Sequence, residues 1–382
     1  MKRLWCLLTA VLLLFVMLPI PAMAAGPEVA AKSAVLMDMA TGTVLQEQNA
    51  HEKLAPASVT KVMTMLLIME AIDSGKIHWT DQVIASEAAA AKGGSQIYLK
   101  VGETLSVSDM VKSIAVSSAN DCACAMAEHL AGSEQAFVEM MNRRAGELGM
   151  NDTHFVNCTG LDDSPEAAEH RTSAYDIALM SRELMAKHPD IQKFTTIWMD
   201  TVRDGAFGLA NTNKMIRFYP GATGLKTGFT SGAGYCLSAT AQRENLGLIA
   251  VVMGAETSQI RFGACKQLLD YGFANYALIA PENTGGSVKI KLGTADSVKA
   301  VPAETAQLLV DKAQVNQVQI ETVLEEEVPA PVSKGQRLGT LTVKVGEQTV
   351  KQIPLVAEDA VPRLSWWDIF LQVLRKVTMA KG

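Results

Sequence analysis

The chain has 382 residues, of which 48% are hydrophobic and only 19% charged, and its formal net charge is −6. Such a composition supplies a sizeable core and excludes wholesale disorder. The acidic balance leaves no basic footprint for a nucleic-acid partner.

At the start, Lys2 and Arg3 lead into an apolar run from Leu4 to Leu18, and Ala22-Met23-Ala24 offers small residues at the spacing of a signal cleavage site. Residues 1–24 therefore read as a secretory signal cut after Ala24, with a retained N-terminal anchor as the other reading. Five cysteines follow it: Cys122, Cys124, Cys158, Cys236 and Cys265. An odd number cannot all pair internally. Cys122-x-Cys124 has no second pair of metal-ligand type, so we expect buried thiols acting as small apolar residues, and no metal.

"SAVLMDMATGTVLQEQN" (Ser33–Asn49) reads as strand, Ala-Thr-Gly turn, strand. "PASVTKVMTMLLIMEAIDSGK" from Pro56 predicts one amphipathic helix with Gly75 as its C-terminal cap. The pattern stays mostly helical from Thr80 to about His188. Tyr235–Ala255 returns to strands around an Arg243-Glu244-Asn245 hairpin turn, and "ACKQLLDYGFANYA" closes the region as a helix. Strands at both ends of a helical block imply α+β architecture, with one antiparallel sheet built from both termini of the domain.

Beyond "APENTGGS", the segments "VKIKL", "VQIETVL" and "LTVKV" alternate with period two and read as a small β-rich domain. In the last stretch, Trp366, Phe370, Val373, Leu374 and Val377 share one helical face, with Asp368, Gln372, Arg375 and Lys376 opposite. A Trp-rich, basic terminal helix suits the plane of an anionic membrane. It is too short and too charged to span one. The alternative is a helix packed on the β domain. The expected units are 1–24, 25–279, 280–361 and 362–382.

Ser58 and Lys61 lie three apart, on one helical face. An ammonium at the edge of a core is pushed toward its neutral form, and a neutral amine one turn from a hydroxyl can take its proton. The spacing alone is common and carries little. Ser118-Ala119-Asn120 adds a hydroxyl and an amide among small residues at a helix start. Lys226-Thr227-Gly228, placed amid glycines just before a strand, adds a lysine and a hydroxyl able to hold a carboxylate, with a glycine that admits close backbone approach.

In this order, the three motifs resemble the active-site set of penicillin-recognising serine enzymes. Over almost its whole length the chain looks like a low-molecular-mass penicillin-binding protein, a D-alanyl-D-alanine carboxypeptidase with a β-lactamase/transpeptidase-like domain. "NTNKMIRFYPGATGLKTGFTSGAGYCLSATA" and "FVNCTGLDDSPEAAEHRTSAYDIALMSREL" are similar to those of Gram-positive spore formers. The resemblance implies that Ser58 attacks the carbonyl between two terminal D-alanines of a peptidoglycan stem peptide, with Lys61 as general base. Ser118 passes the proton to the leaving amine, and Asn120 holds the substrate amide and orients Lys61. Lys226 and Thr227 take the terminal carboxylate, Arg261 supports them, and the amides of Ser58 and Phe229 form the oxyanion hole.

β-Lactams are then covalent inhibitors, no cofactor is needed, and the enzyme sits outside the cytoplasmic membrane. Phe229 stands where some relatives carry histidine, so no titrating side chain acts there. Glu166 lacks the Glu-x-x-Leu-Asn context of deacylating β-lactamases. There is no His-Glu-x-x-His and no Gly-x-Ser-x-Gly, and His170 reads as structural. A D,D-endopeptidase acting on cross-links and a non-catalytic wall-binding protein are the alternatives.

Overall fold

The computed structural model describes residues 26–280 and 284–371. The expected signal peptide, and the expected terminal helix beyond Leu371, lie outside the described residues. A five-stranded antiparallel sheet forms the centre of the larger domain. Its strands are β1 (Ser33–Asp38), β2 (Val44–Gln48), β3 (Ala222–Thr230), β4 (Gly234–Arg243) and β5 (Leu246–Ala255), in spatial order β2-β1-β5-β4-β3. The expected joining of both termini is thus met by β1 pairing with β5 from Ser33–Met253 to Asp38–Leu248.

Alternation along these strands divides the core. Leu36, Leu237, Leu248 and Val252 point to one face and pack with Leu268, Leu269 and Phe273. Val35, Met37, Ile249 and Val251 point to the other and join the helical block. Because both faces are covered, β5 reads as a nearly unbroken apolar run.

The helices are α1 (Lys61–Asp73), α2 (Val107–Ser117), α3 (Asn120–Ala131), α4 (Glu134–Glu147), α5 (Ala174–Lys187) and α6 (Ser258–Asn275). Ser106, Ser133, Ser173 and Thr257 cap α2, α4, α5 and α6, each accepting from a backbone N–H three residues on. The α1 helix differs from expectation in two ways. It begins at Lys61, after a separate 3-10 turn over Ala57–Thr60. It is also buried nearly all round, from Lys61 through Met69, so it is a central core helix and not an amphipathic one. Its end matches expectation: Gly75 has φ +72°, and its N–H donates to Ile72 O.

The second unit is a six-stranded sheet of β6 (Gly286–Lys291), β7 (Ser297–Pro302), β8 (Val318–Leu324), β9 (Glu327–Pro329), β10 (Arg337–Val345) and β11 (Gln348–Ala357), in order β8-β10-β11-β7-β6-β9. Tyr276–Ile279 also pairs with Leu308–Asp311, so its contacts begin ahead of residue 280. Trp366 and Trp367, at the described start of the terminal helix, are 69% and 65% exposed.

The α6 helix lies so close to the sheet that a Cβ on Gly272 would come 2.6 Å from Leu248 Cδ1 and 3.1 Å from Leu36 Cδ2. A Cβ on Gly263 meets nothing within 4 Å. Gly272→Val should therefore lose about 1–3 kcal/mol through overpacking. Gly263→Ala should hold or raise the melting temperature, and thermal denaturation of the two variants checks the contrast.

Candidate active site

Ser58 stands on a strained elbow. Ala57, the residue before it, has φ +47°, in the left-handed region that a Cβ disfavours. The elbow is held from inside. His170 Nδ1 accepts from the Val156 N–H at 3.1 Å, so Nε2 carries the proton and donates to Thr60 Oγ1 at 2.8 Å. The Thr60 hydroxyl donates in turn to Ala57 O at 2.9 Å. Burial and nearby cationic groups hold His170 down to about 3, so it stays neutral. Gly160, at φ +80°, presses against the same Ala57 carbonyl, where a Cβ would collide. His170 is structural, as expected from sequence, and its work is to hold the elbow.

Lys61 is fully buried. Its Nζ donates to Ser58 Oγ at 3.0 Å and to the Thr159 carbonyl at 2.8 Å. Burial lowers its pKa to about 7, against the raising effects of Cys158 and Asp121. The Thr159 carbonyl is aimed by Asn157, whose Oδ1 accepts from Thr159 N, Thr159 Oγ1 and Gly160 N. Lys61 is thus oriented by Thr159, not by the Asn120 amide that the resemblance implied. Asn120 Nδ2 donates instead to Gly93 O at 2.7 Å.

The second motif sits at a sharp junction. Ser118, at φ +64°, ends α2, and α3 begins at Asn120. Ser118 Oγ and Asn120 Oδ1 are both buried without a hydrogen-bond partner among the described residues. Buried polar atoms are rarely left so, and two within three residues mark a place where an incoming polar group would bond. Asp121, buried next to them, accepts from Ile97 N and Leu99 N and so ties the preceding loop to α3.

The third motif is not ahead of a strand, as the sequence suggested, but on one. Lys226, Thr227, Gly228 and Phe229 all belong to β3, the edge of the sheet. Glycines before and after it hid the strand, since they weaken a β signal. A Cβ on Gly228 would come 2.6 Å from Pro56 O and 3.1 Å from Ser58 N, so only glycine lets β3 approach the elbow. Thr227 Oγ1 donates to Thr212 Oγ1 at 2.7 Å, and Thr212 N donates to Val116 O, which ties β3 to the end of α2.

Lys226 is buried and donates to Thr227 O at 2.9 Å. Its pKa is well below the ordinary lysine value, from burial first and then the charges of Lys61 and Arg261. Arg261 is buried and bonds to the carbonyls of Gly228 (3.0 Å) and Cys236 (3.2 Å), which excludes a surface salt bridge. It clamps β3 from behind. Phe229 is 54% exposed and stacks on Tyr235, ring centroids 4.3 Å apart.

Residues 21–257 match the family described as D-alanyl-D-alanine carboxypeptidase, and residues 273–363 match the penicillin-binding protein 5 C-terminal domain. This chain belongs to that carboxypeptidase family. It is 45% identical over 336 residues to D-alanyl-D-alanine carboxypeptidase DacF of Bacillus subtilis, covering 86% of this chain and 85% of the relative. It is 33% identical to D-alanyl-D-alanine carboxypeptidase DacC of Escherichia coli, covering 88% and 85%. Among solved structures, penicillin binding protein 5 from Haemophilus influenzae superposes with a TM-score of 0.73 at 30% identity, over 88% of this chain and 99% of that one. Penicillin-Binding Protein D2 from Listeria monocytogenes in its ampicillin-bound form superposes with a TM-score of 0.59 at 32% identity, over 65% and 100%.

Within this family frame, Lys61 and the Gly228 stretch of β3 meet the Ser58 elbow, and Arg261 bonds to β3 at Gly228. Sequence reasoning missed Thr159, Asn157, Asp121 and Thr212, which act through backbone groups or short polar bridges that carry no motif. The position of Lys61 has a consequence for pH. Below about pH 7 the ammonium has no lone pair to receive the Ser58 proton; above it, the amine does. The rate of Ser58 acylation by a β-lactam should rise with pH through about 7 and then level off. Lys61→Arg, which stays charged, should lose about 10²–10⁴-fold in that rate across the range, measured with a fluorescent penicillin.

Proposed function

We propose that the chain is a serine-type D-Ala-D-Ala carboxypeptidase that removes the terminal D-alanine from peptidoglycan stem pentapeptides. The observation that carries this reading is the buried Lys61 amine bonded to Ser58 Oγ. Neutral Lys61 takes the Ser58 proton as Oγ attacks the carbonyl carbon of the penultimate D-alanine. Charge developing on the carbonyl oxygen is met by the amides of Ser58 and Phe229, a reading supported by the close approach of Gly228 to the Ser58 amide. The C–N bond then breaks, the free D-alanine leaves with a proton relayed through Ser118 Oγ, and the shortened peptide remains as an ester on Ser58. Water, deprotonated by Lys61, hydrolyses that ester and regenerates the hydroxyl.

The substrate's terminal carboxylate lies on Lys226 and Thr227. Its negative charge favours the ammonium form of Lys226, offsetting the burial that disfavours it in the free enzyme. The buried Oδ1 of Asn120 takes an amide N–H of the stem peptide. Arg261 is a positioning residue, fixing β3 through Gly228 and Cys236 and adding positive charge behind the carboxylate. β-Lactams acylate Ser58 by the same attack, with no leaving fragment to diffuse away. Residues 1–24 export the chain, and residues 362–382 hold it at the outer face of the membrane. The exposed Trp366, Trp367, Phe370 and Leu371 support that last reading.

D-alanine release from a diacyl-Lys-D-Ala-D-Ala peptide should vanish in Ser58→Ala while the fold, followed by circular dichroism, is kept; release that persists in the variant would sink the mechanism. Deleting residues 363–382 should move the protein from the membrane to the soluble fraction, read by fractionation and immunoblot. Unchanged membrane association would refute the anchor.

A further inference from the structure

A cavity of about 600 Å³ opens between the 214–219 segment and the first half of α6. Its walls are Met215, Phe218, Tyr219 and Phe262, and Lys214 and Lys266 stand at its rim. Phe218 is 70% exposed, an unusual position for a large aromatic side chain. The guanidinium of Arg217 lies 5.7 Å from the ring centroids of both Phe218 and Trp198, which extends the aromatic surface past the cavity mouth. Lys214, Arg217 and Lys266 form no ion pair among the described residues. In a chain with a net charge of −6, two lysines lining an apolar hollow, with Arg217 beside it, give this spot a basic character, although Asp270 bonds to the wall residue Tyr219 from behind.

The cavity is coupled to the site by position. Ser258, on its wall, accepts from Arg261 at 3.3 Å, and Arg261 bonds to Gly228 of β3. One wall thus leads through Ser258 and Arg261 to the back of β3, and the other, the 214–219 segment, runs into the start of β3 at Ala222. The cavity's size suits a ring and its substituents, and its mix of apolar floor and few charged groups is that of a ligand site.

We propose that this cavity is an exosite for the wall polymer itself: it takes a carboxylate-bearing glycopeptide segment of peptidoglycan next to the stem being trimmed. A sugar ring lies on the exposed Phe218 face, and Lys214 and Lys266 pair with peptide carboxylates. The proposal rests on the carboxypeptidase reading, because that reading makes the substrate a side branch of a polymer which must cross the surface around the cleft. The chemistry fits: pyranose rings offer C–H faces to aromatics, and stem peptides carry carboxylates beyond the terminal one.

The test compares a polymeric and a small substrate. Wild type, Phe218→Ala and a Lys214→Glu/Lys266→Glu double variant are assayed on uncross-linked peptidoglycan stripped of phosphate polymers by hydrofluoric acid, and on diacyl-Lys-D-Ala-D-Ala. Co-sedimentation is measured in parallel with the stripped, insoluble polymer and with unstripped walls. All three residues are exposed and lie outside the catalytic set.

The expected result is a KM on the polymer raised about tenfold, with weaker co-sedimentation and an unchanged kcat/KM on the small peptide. Unchanged polymer KM and sedimentation in both variants would overturn the exosite. So would equal losses on both substrates, which would place these residues in the catalytic machinery. Sedimentation lost only with unstripped walls would assign the cavity to a phosphate polymer and also overturn it. Failure of the underlying function looks different: no Ser58-dependent D-alanine release from either substrate, with the sedimentation arm still deciding the exosite.

Discussion

Everything at this site depends on burying one lysine. Lys61 opens the helix that runs through the middle of the core, and no part of its side chain reaches solvent. Removing an ammonium from water is costly, so the amine is driven toward the neutral form that a base requires. The protein must still satisfy the nitrogen, and it does so with two partners: the Ser58 hydroxyl and the Thr159 carbonyl. Moving either partner would leave a buried polar group unpaired, which is more damaging than losing an exposed bond. The surrounding hydrogen bonds, from Asn157 into the 159–160 turn and from His170 through Thr60 to Ala57, serve that one requirement.

A second constraint is distance between backbones. The edge strand and the Ser58 elbow come together only where Gly228 supplies no side chain. Gly160 plays the same part on the inner side of the elbow. Clamped between them, the elbow holds Ala57 in a conformation that an alanine would not choose. Arg261 bonds to the far side of the same strand at Gly228. Rigid elements thus carry the Ser58 elbow, while the polar atoms at Ser118 and Asn120 have no partner among the described residues.

Much of this was legible in the sequence. The α+β class followed from strands at both ends of a helical block, and the sheet joins them as expected. Lys61, Ser118, Asn120, Lys226 and Thr227 stand out in the sequence because they carry reactive or polar side chains in recognisable motifs, and Gly228 because a glycine there admits close backbone approach. The misses share a different cause. Glycines concealed that β3 is a strand, and the apolar run after Lys61 suggested an amphipathic helix where burial is complete. Arg261 was found, but its partners were not, because they are backbone carbonyls of two neighbouring strands.

The sequence by itself determined the inventory: an activated serine, a lysine three residues on, an amide and hydroxyl, and a second lysine with a glycine beside it. It also determined the layering, since alternation and helical spacing are written in side-chain order. Only the tertiary structure decided that Thr159, rather than Asn120, orients Lys61, that β3 reaches the elbow at Gly228, and that Arg261 works from behind the strand. The physical reason is that these contacts run through backbone N–H and C=O groups. Those are present at nearly every residue, so residue identity cannot announce which of them the fold will bring to the site.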